Sequence, residues 1–172
     1  RWFGHRFYVE NSREFNFDFP NIITSSPVNL KVYVAATSES NTSMSLKLNG
    51  SEVNNFSFSS IDSQLLASED SFNELLNISS STVSVELNYN NNGNPSASAY
   101  LDYISIEAER SLISLGTQFE FKHKNSAILS GVGAFIISNA NSTSQVWDIT
   151  NPYEIQFYEN QNLESQFTFK TN

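Results

Sequence analysis

The sequence contains no cysteine among its 172 residues. This absence excludes a thiol nucleophile, a disulfide framework and a cysteine-ligated zinc or iron–sulfur site within the chain. The sequence also lacks any apolar run near the ~18 residues that a membrane helix requires. It has no GxSxG, Walker, HExxH or EF-hand pattern, so the familiar hydrolase, nucleotide-binding and calcium-loop signatures are missing.

Charged residues are scarce and unbalanced. They make up 16% of the chain, against about 25% in a typical soluble domain. Only 9 are Lys or Arg and 18 are Asp or Glu, which gives a net charge of −9. An acidic surface repels phosphate backbones, and no cluster of basic residues opposes it. We therefore expect no nucleic-acid partner.

Phenylalanine is abundant, with 14 residues, and the hydrophobic fraction of 39% is enough for a core. A chain of this length buries roughly 70% of its unfolded surface and needs no disulfide or metal to fold. Asn, Ser and Thr take the place of charges, and these residues favour turns and the wet faces of sheets over helices. The composition therefore favours an all-β protein.

Apolar and polar residues alternate with a period of two through most of the chain, which is the signature of half-buried strands. Asn49-Gly50 predicts a tight hairpin turn, and a slip in the alternation near Asp102-Tyr103 predicts a β-bulge. Residues 63–76 are the one stretch that we expect to hold a helical turn. Strands are predicted at 15–19, 30–36, 44–48, 53–58, 83–89, 97–109, 111–115, 118–122, 134–138, 145–149 and 166–170.

Short strands at intervals of about ten residues, separated by turn signals, predict an antiparallel β-sandwich, jelly-roll-like and similar to galactose-binding-like domains. We expect the sandwich to occupy residues 1–116. Residues 117–172 are expected to add strands that complete it or begin an adjoining β module. Leu101, Ile104 and Ile106 are predicted core residues, and Trp147 is a predicted packing anchor.

The residues that commonly carry chemistry form no recognisable constellation. His5 and His123 have no companions at metal-ligand spacing, so we interpret both as surface or packing residues. The acidic residues, such as Glu69-Asp70 and Glu107, have no spacing that singles out a catalytic pair, and Gly131-Val132-Gly133 is most simply a turn. We predict no catalytic, cofactor-binding or metal-binding residues in the chain.

A structural calcium ion in a loop is the one cofactor that the sequence leaves open, because β-sandwiches often hold hard cations on oxygen ligands. The conceivable ligands are Asp18, Asp62, Asp70 and Asp102. Asp148 is expected to accept hydrogen bonds from backbone amides in a turn and not to bind a ligand.

The aromatic residues allow a second kind of site. They could form a stacking platform for sugars or a protein-binding patch, although we expect most of them to fill the core. The candidates are Trp2, Tyr8, Tyr33, Tyr89, Tyr100, Tyr103, Trp147, Tyr153 and Tyr158.

Three segments, in order, carry a resemblance to a known family. They are Arg1-Trp2-Phe3-Gly4, the stretch Ala99-Tyr100-Leu101-Asp102-Tyr103-Ile104-Ser105-Ile106 followed by Arg110 and Leu112, and Val146-Trp147-Asp148-Ile149-Thr150-Asn151-Pro152. Gln118-Phe119-Glu120-Phe121 lies between the last two. Together they resemble the region upstream of the catalytic domain in the PorU family, the gingipain-like cysteine peptidases of the bacterial type IX secretion system in Bacteroidetes.

The resemblance implies a parent protein that is secreted to the bacterial cell surface or outer membrane. Such a parent removes the C-terminal sorting signal of secreted cargo and helps attach the cargo to lipopolysaccharide. Its Cys–His dyad would lie beyond Asn172, and neither His5 nor His123 inherits that role. We expect the chain, which opens at Arg1, to be a fragment of such a protein.

Two hypotheses about function follow. The chain is either a non-catalytic accessory domain whose partners are the downstream peptidase domain and secretion-system proteins, or a carbohydrate-binding module for a glycan or lipopolysaccharide. An exposed, roughly coplanar aromatic pair would favour the second hypothesis, and complete burial of every Trp and Tyr ring would exclude it.

Overall fold

The computed structural model describes residues 3–62, 66–124 and 131–171. It divides the chain into two compact units, Arg1–Arg110 and Ser111–Asn172. The strands of the first unit are β1 (Arg6–Phe7), β2 (Ser12–Asp18), β3 (Val28–Thr37), β4 (Thr42–Leu48), β5 (Ser51–Phe58), β6 (Ser68–Leu76), β7 (Thr82–Asn90) and β8 (Ser98–Glu107). No helix in the described residues is long and apolar enough to cross a membrane.

The eight strands of the first unit form two antiparallel sheets of four strands, in the orders β1-β8-β3-β6 and β2-β7-β4-β5. The pairs β1–β8, β2–β7, β3–β6 and β4–β5 join the first half of the unit to the second in reverse order. This is the pairing of one long hairpin wound into two layers, which defines a jelly roll. The predicted fold class is therefore confirmed.

Both sheets bury their alternate residues in one core. In β3 and β4 the inward positions are almost fully buried, and the intervening positions are only half-buried. This strong alternation is found in strands that lie inside their sheets, where β3 and β4 are two of four. The largest fully buried side chains of this core are Tyr89, Phe7, Phe56, Leu30, Met44, Leu46, Leu87, Val28, Val32, Val34 and Val83.

Two local predictions within the first unit are confirmed. Asn49 and Gly50 have φ angles of +49° and +79°, which suits the two-residue turn that joins β4 to β5. On β8, Tyr103 lies opposite Tyr33 and Leu101 lies opposite Val34, so Asp102 is the extra residue of a bulge.

The helical turn predicted within residues 63–76 is wrong for the described part of that stretch. Residues 68–76 form β6, which pairs along its whole length with β3. β6 is an edge strand, and its side chains are only half-buried or exposed, so its sequence lacks the apolar alternation of an inner strand. Backbone pairing with β3 determines its conformation. Residues 63–65 lie outside the described residues.

The second unit contains β9 (Gly133–Ser138), β10 (Gln145–Asp148), β11 (Gln156–Glu159) and β12 (Gln166–Thr171), with a short 3-10 turn at Ala140–Ser142. β9 pairs with β12 and β10 pairs with β11, both antiparallel. Its small core consists of Ile137, Ala140, Phe167 and Phe169.

The strands predicted at 111–115 and 118–122 are absent. The first stretch makes only an isolated bridge from Ile113 to Ser138, and the second has no strand pairing. Leu112, Phe119 and Phe121 instead pack their side chains against the small core. The apolar alternation in these stretches therefore reflects side-chain packing against the core and not strand pairing, which is why the strand prediction failed. The placement of a domain boundary after residue 116 stays a prediction.

Stability measurements on three alanine variants test the burial pattern of the jelly roll. Leu46 is fully buried, Ile104 packs at the margin of the core, and Leu75 is exposed. We expect Leu46→Ala to cost about 2–5 kcal/mol of unfolding free energy and Ile104→Ala about 2 kcal/mol. The control Leu75→Ala should cost less than about 0.5 kcal/mol. Equal costs for all three in denaturant titrations would contradict the assigned faces.

Candidate functional site

The two histidines have packing environments. His5 is half-buried and contacts the Phe7 ring edge-on, with ring centroids 4.9 Å apart. Its Nδ1 atom lies 2.7 Å from Nη1 of Arg13. His123, in the second unit, meets the ring of Phe135 edge-on with centroids 6.0 Å apart. Within the described ranges, no three His, Asp or Glu side chains form a group able to hold a metal ion.

The proposed calcium ligands belong to separate elements of the jelly roll, and some already have structural partners. Asp18 accepts a hydrogen bond from Oγ1 of Thr82 at 2.9 Å. Asp70 accepts hydrogen bonds from the backbone N–H groups of Ser57 at 3.2 Å and Ser71 at 2.8 Å. Calcium binding by Asp18, Asp62, Asp70 and Asp102 stays a prediction.

A cleft of about 260 Å³ lies at the end of the jelly roll where β4 meets β5. Four apolar and four neutral polar residues line it. This volume is below the range of about 300–1,000 Å³ that is usual for small-molecule sites. The lining residues are Leu48, Asn49, Ser51, Val53, Leu76, Asn77, Ile78 and Ser79.

The aromatic candidates differ widely in exposure. Tyr89 is buried in the core, and burial raises the pKa of its hydroxyl. Tyr33, Tyr100 and Tyr158 are half-buried, whereas Tyr8, Tyr103, Trp147 and Tyr153 are exposed. Trp2 lies outside the described residues. The expectation that most of these rings fill the core is therefore wrong.

One aromatic pair lies on the outer face of the β1-β8-β3-β6 sheet, and we refer to Tyr33 and Tyr103 as the tyrosine pair. The two residues are direct partners across β3 and β8, with ring centroids 6.1 Å apart and planes inclined by 16°. The Tyr33 hydroxyl donates a hydrogen bond to Glu69 on β6. Lys31 and Ser105 are the next pair on the same face. The pair thus combines near-parallel rings with neighbouring charged and hydroxyl groups.

Two of the segments that carry the family resemblance are neighbours in the jelly roll. The Gly4 N–H donates to the carbonyl of Leu101 at 2.8 Å, and the Leu101 N–H donates to the carbonyl of His5 at 2.9 Å. The Phe3 and Tyr100 rings lie 5.9 Å apart. A Cβ at position 4 would approach the Leu101 oxygen to 3.3 Å, which explains a glycine at this position. Arg1 and Trp2 lie outside the described residues.

The third segment forms most of β10 and the start of the connection to β11. The packing role predicted for Trp147 is wrong. Trp147 is 59% exposed and pairs across the strands with Phe157, which is 62% exposed. The adjacent pair, Val146 and Tyr158, lies on the opposite face and packs against the small core. Because successive side chains of a strand point to opposite faces, Trp147 faces outward when Val146 packs against the core.

We define the hairpin's outer face as Trp147, Ile149, Tyr153, Ile155 and Phe157. All five side chains are at least half exposed. Tyr153, Ile155 and Phe157 were not proposed from the sequence as parts of one surface, because β11 was not predicted. The run Ile155-Gln156-Phe157-Tyr158 after the Asn151-Pro152 turn is the signal that identifies it.

The turn at the tip of the hairpin is stabilised by side-chain acceptors. Oδ1 of Asp148 accepts from the Thr150 N–H at 3.0 Å, which confirms the turn role predicted for Asp148, and its Oδ2 accepts from Thr171 Oγ1 at 3.1 Å. Oδ1 of Asn151 accepts from the Tyr153 N–H at 3.1 Å. The hydrogen bonds from Thr150, joined by that from Thr171, hold the pKa of Asp148 below its ordinary value.

This pKa shift predicts an acid-sensitive hairpin. Because the carboxylate is favoured in the folded state, Asp148 stabilises the fold above its ordinary pKa of about 4, and that stabilisation disappears as the pH falls through the lowered folded value. Asp148→Asn should therefore be less stable than the native chain at pH 7, with the difference vanishing in acid. Hydrogen–deuterium exchange of the hairpin amides reports local unfolding, and Glu159→Gln, which replaces an exposed carboxylate on β11, is the control. A difference that stays constant down to pH 2 would contradict the assignment.

No protein-family model matches the chain, and no curated protein matches it at a significant level. Among solved structures, the fold is similar to part of the crystal structure of dimeric latent PorU from Porphyromonas gingivalis, with a TM-score of 0.65 and 19% identity. The alignment covers 84% of this chain and 14% of that chain, so this chain spans about one-seventh of the PorU length. The likeness shows a shared fold.

Two carbohydrate-binding modules of the CBM36 type give weaker matches. One is in complex with calcium and xylotriose, and matches with a TM-score of 0.41 and 17% identity over 59% of this chain and 78% of its own. The other is from a xylanase of the hindgut metagenome of Trinervitermes trinervoides, with a TM-score of 0.43 and 15% identity over 62% and 78%. Scores this low support no inference about function.

Proposed function

We propose that the chain is a non-catalytic accessory β-domain of a PorU-like cell-surface cysteine peptidase of the type IX secretion system. The observation that carries this proposal is the fold likeness to PorU. Its 84% coverage corresponds to about 144 of the 172 residues, which exceeds the 110 residues of the first unit. The likeness therefore extends beyond the jelly roll into the second unit.

The three sequence segments that resemble the PorU family support the same proposal, because each has a structural role. The described part of the first segment, Phe3-Gly4, lies against the second at Leu101. The third forms β10 and the turn that follows it. Segments that serve the fold suit a supporting domain.

The chemistry of the chain fits a supporting role. The sequence has no cysteine, and the described histidines are engaged in packing contacts. In this proposal the peptidase domain of the parent removes the cargo signal and attaches the cargo at the outer membrane. Residues 1–172 support that domain or dock its partner proteins through exposed aromatic side chains.

Deleting residues 1–172 from the parent protein in its own cells tests the proposal. The parent is expected to contain a Cys–His peptidase domain C-terminal to residue 172. The deletion should lower the amount of processed cargo at the cell surface several-fold, and replacing the peptidase nucleophile should abolish processing. A parent without a peptidase domain, or unchanged cargo processing after the deletion, would show that the proposal is wrong.

A second candidate function is glycan binding by the tyrosine pair. Near-parallel aromatic rings stack against the apolar faces of sugars, and Glu69 and Lys31 would supply hydrogen bonds to sugar hydroxyls beside them. Lipopolysaccharide is one source of such a glycan. The exposure of Tyr103 keeps this function open, since the condition that would exclude it, burial of every ring, is not met.

A glycan array followed by titration calorimetry with Tyr103→Ala distinguishes the second function from the first. Tyr8→Ala is the control, because Tyr8 is 45% exposed against 44% for Tyr103 and lies outside the pair. Saturable binding that falls at least tenfold in Tyr103→Ala and persists in Tyr8→Ala is the expected result. The absence of any bound glycan, or equal losses in both variants, would exclude the tyrosine pair as a sugar site.

A further inference from the structure

We infer that the hairpin's outer face docks an extended segment of a partner protein, in which apolar side chains alternate with or flank Lys and Arg. This inference names the surface and the partner chemistry for the docking role, and it rests on the proposed function. Four properties of the hairpin support it: its apolar content, its rigidity, its charge and its two-stranded sheet.

The apolar content is concentrated on one side of a two-stranded ribbon. Trp147 and Phe157 form a cross-strand pair at its middle, and Tyr153 at its tip is 95% exposed. Ile149 directly follows β10 and Ile155 directly precedes β11, and both are exposed. Trp and Tyr are the residues most enriched at the energetic centres of protein interfaces, and a contiguous apolar face is unusual on a surface that meets only water. This face therefore has the composition of a binding surface.

The hairpin is held rigid from its other side. Its inner-face Tyr158 ring lies 4.9 Å from that of Phe169 in the small core. Asp148 connects β10 to Thr171 at the end of β12, and Asn151 fixes the tip. A preorganised surface loses little conformational entropy on binding, so its apolar area contributes more fully to affinity.

The charge of the hairpin selects among partners. Residues 145–164 contain four carboxylates, Asp148, Glu154, Glu159 and Glu164, and no Lys or Arg. Asp148 is turned toward Thr171, whereas Glu159 shares the face of Trp147 and Glu154 lies at the tip. Against a second copy of the chain Glu154 and Glu159 would repel their counterparts, whereas Lys or Arg on a partner would be attracted. Ile149 and Ile155, between the aromatic pair and the tip, offer no side-chain hydrogen bonds to a sugar. A basic and apolar protein segment fits better than a second copy or a glycan.

The strand edges indicate the conformation of that segment. β10 and β11 form a sheet of only two strands in the described part of the chain. An extended segment can add to such an edge through main-chain hydrogen bonds, which brings every second side chain onto one face of the enlarged sheet. The partner's apolar residues would then lie beside Trp147 and Phe157.

The probe for this inference is a display library of random 12-residue peptides, panned on the purified chain. Enriched peptides are expected to combine aromatic or aliphatic residues with Lys or Arg. As synthetic peptides, they should lose at least tenfold in affinity for Trp147→Ser and for Phe157→Ser. Ile136→Ser, which is 50% exposed on β9 of the same unit, is the matched control and should bind normally. Circular dichroism checks that each variant is folded.

The contribution of the hairpin's carboxylates is tested separately with the double variant Glu154→Gln/Glu159→Gln and with added salt. Each change should weaken peptide binding several-fold. The inference is overturned if no peptide is enriched, if the enriched peptides lack Lys and Arg, or if both outer-face variants bind them as tightly as Ile136→Ser does. Sedimentation velocity that shows a dimer lost in Trp147→Ser would instead assign the face to a second copy. None of these outcomes bears on the parent-protein deletion, so failure here leaves the accessory role to be judged on its own experiment.

Discussion

A strand has two faces, and in a two-layer sandwich only one of them can be buried. This constraint determines which residues of the first unit form the core and which remain available for binding. In β3 the inner positions hold Val28, Leu30 and Val32, and the outer positions include Lys31 and Tyr33. The tyrosine pair is thus a direct consequence of the alternation that builds the core, because Tyr33 and Tyr103 occupy the faces that the sandwich leaves to solvent.

In the second unit, too, only one face of each strand pair packs against the core, but here the exposed face of the hairpin is also apolar. Its small core takes Phe167, Phe169 and Ile137 from one face of the β9–β12 pair, and Val146 and Tyr158 from the inner face of the hairpin. No described strand covers the other side of the hairpin, yet that side is the more aromatic of the two. Apolar residues on both faces of a short ribbon are expected where one face packs internally and the other is reserved for a partner.

The fold was largely predictable from the sequence, because inner strands and tight turns leave strong local signals. The alternation in 30–36, 44–48 and 83–89 and the Asn49-Gly50 turn all correspond to observed elements. Two of the edge strands left weaker signals. β1 has two residues and β6 carries few apolar ones, so both depend on pairing with strands that are distant in sequence. Such pairing cannot be read from a local pattern.

The candidate surfaces were less predictable, for a related reason. The sequence names Tyr33, Tyr103, Trp147 and Tyr153 as candidates but cannot say which face each occupies. Trp147 shows the difficulty, because both Val146 and Trp147 are apolar and a shift of one residue exchanges inside for outside. Only the register with β11 decides between them.

The pairing of β1 with β8 has a consequence for how the chain folds. Arg6 meets Ser98 through side-chain hydrogen bonds although 92 residues separate them. β1 is synthesised well before β8, so residues 3–7 lack their pairing partner until β8 has been made. Long-range closure of this kind makes folding slow. The jelly roll therefore closes only once both ends of the first unit are present, because β1 and β8 lie near opposite ends of its sequence.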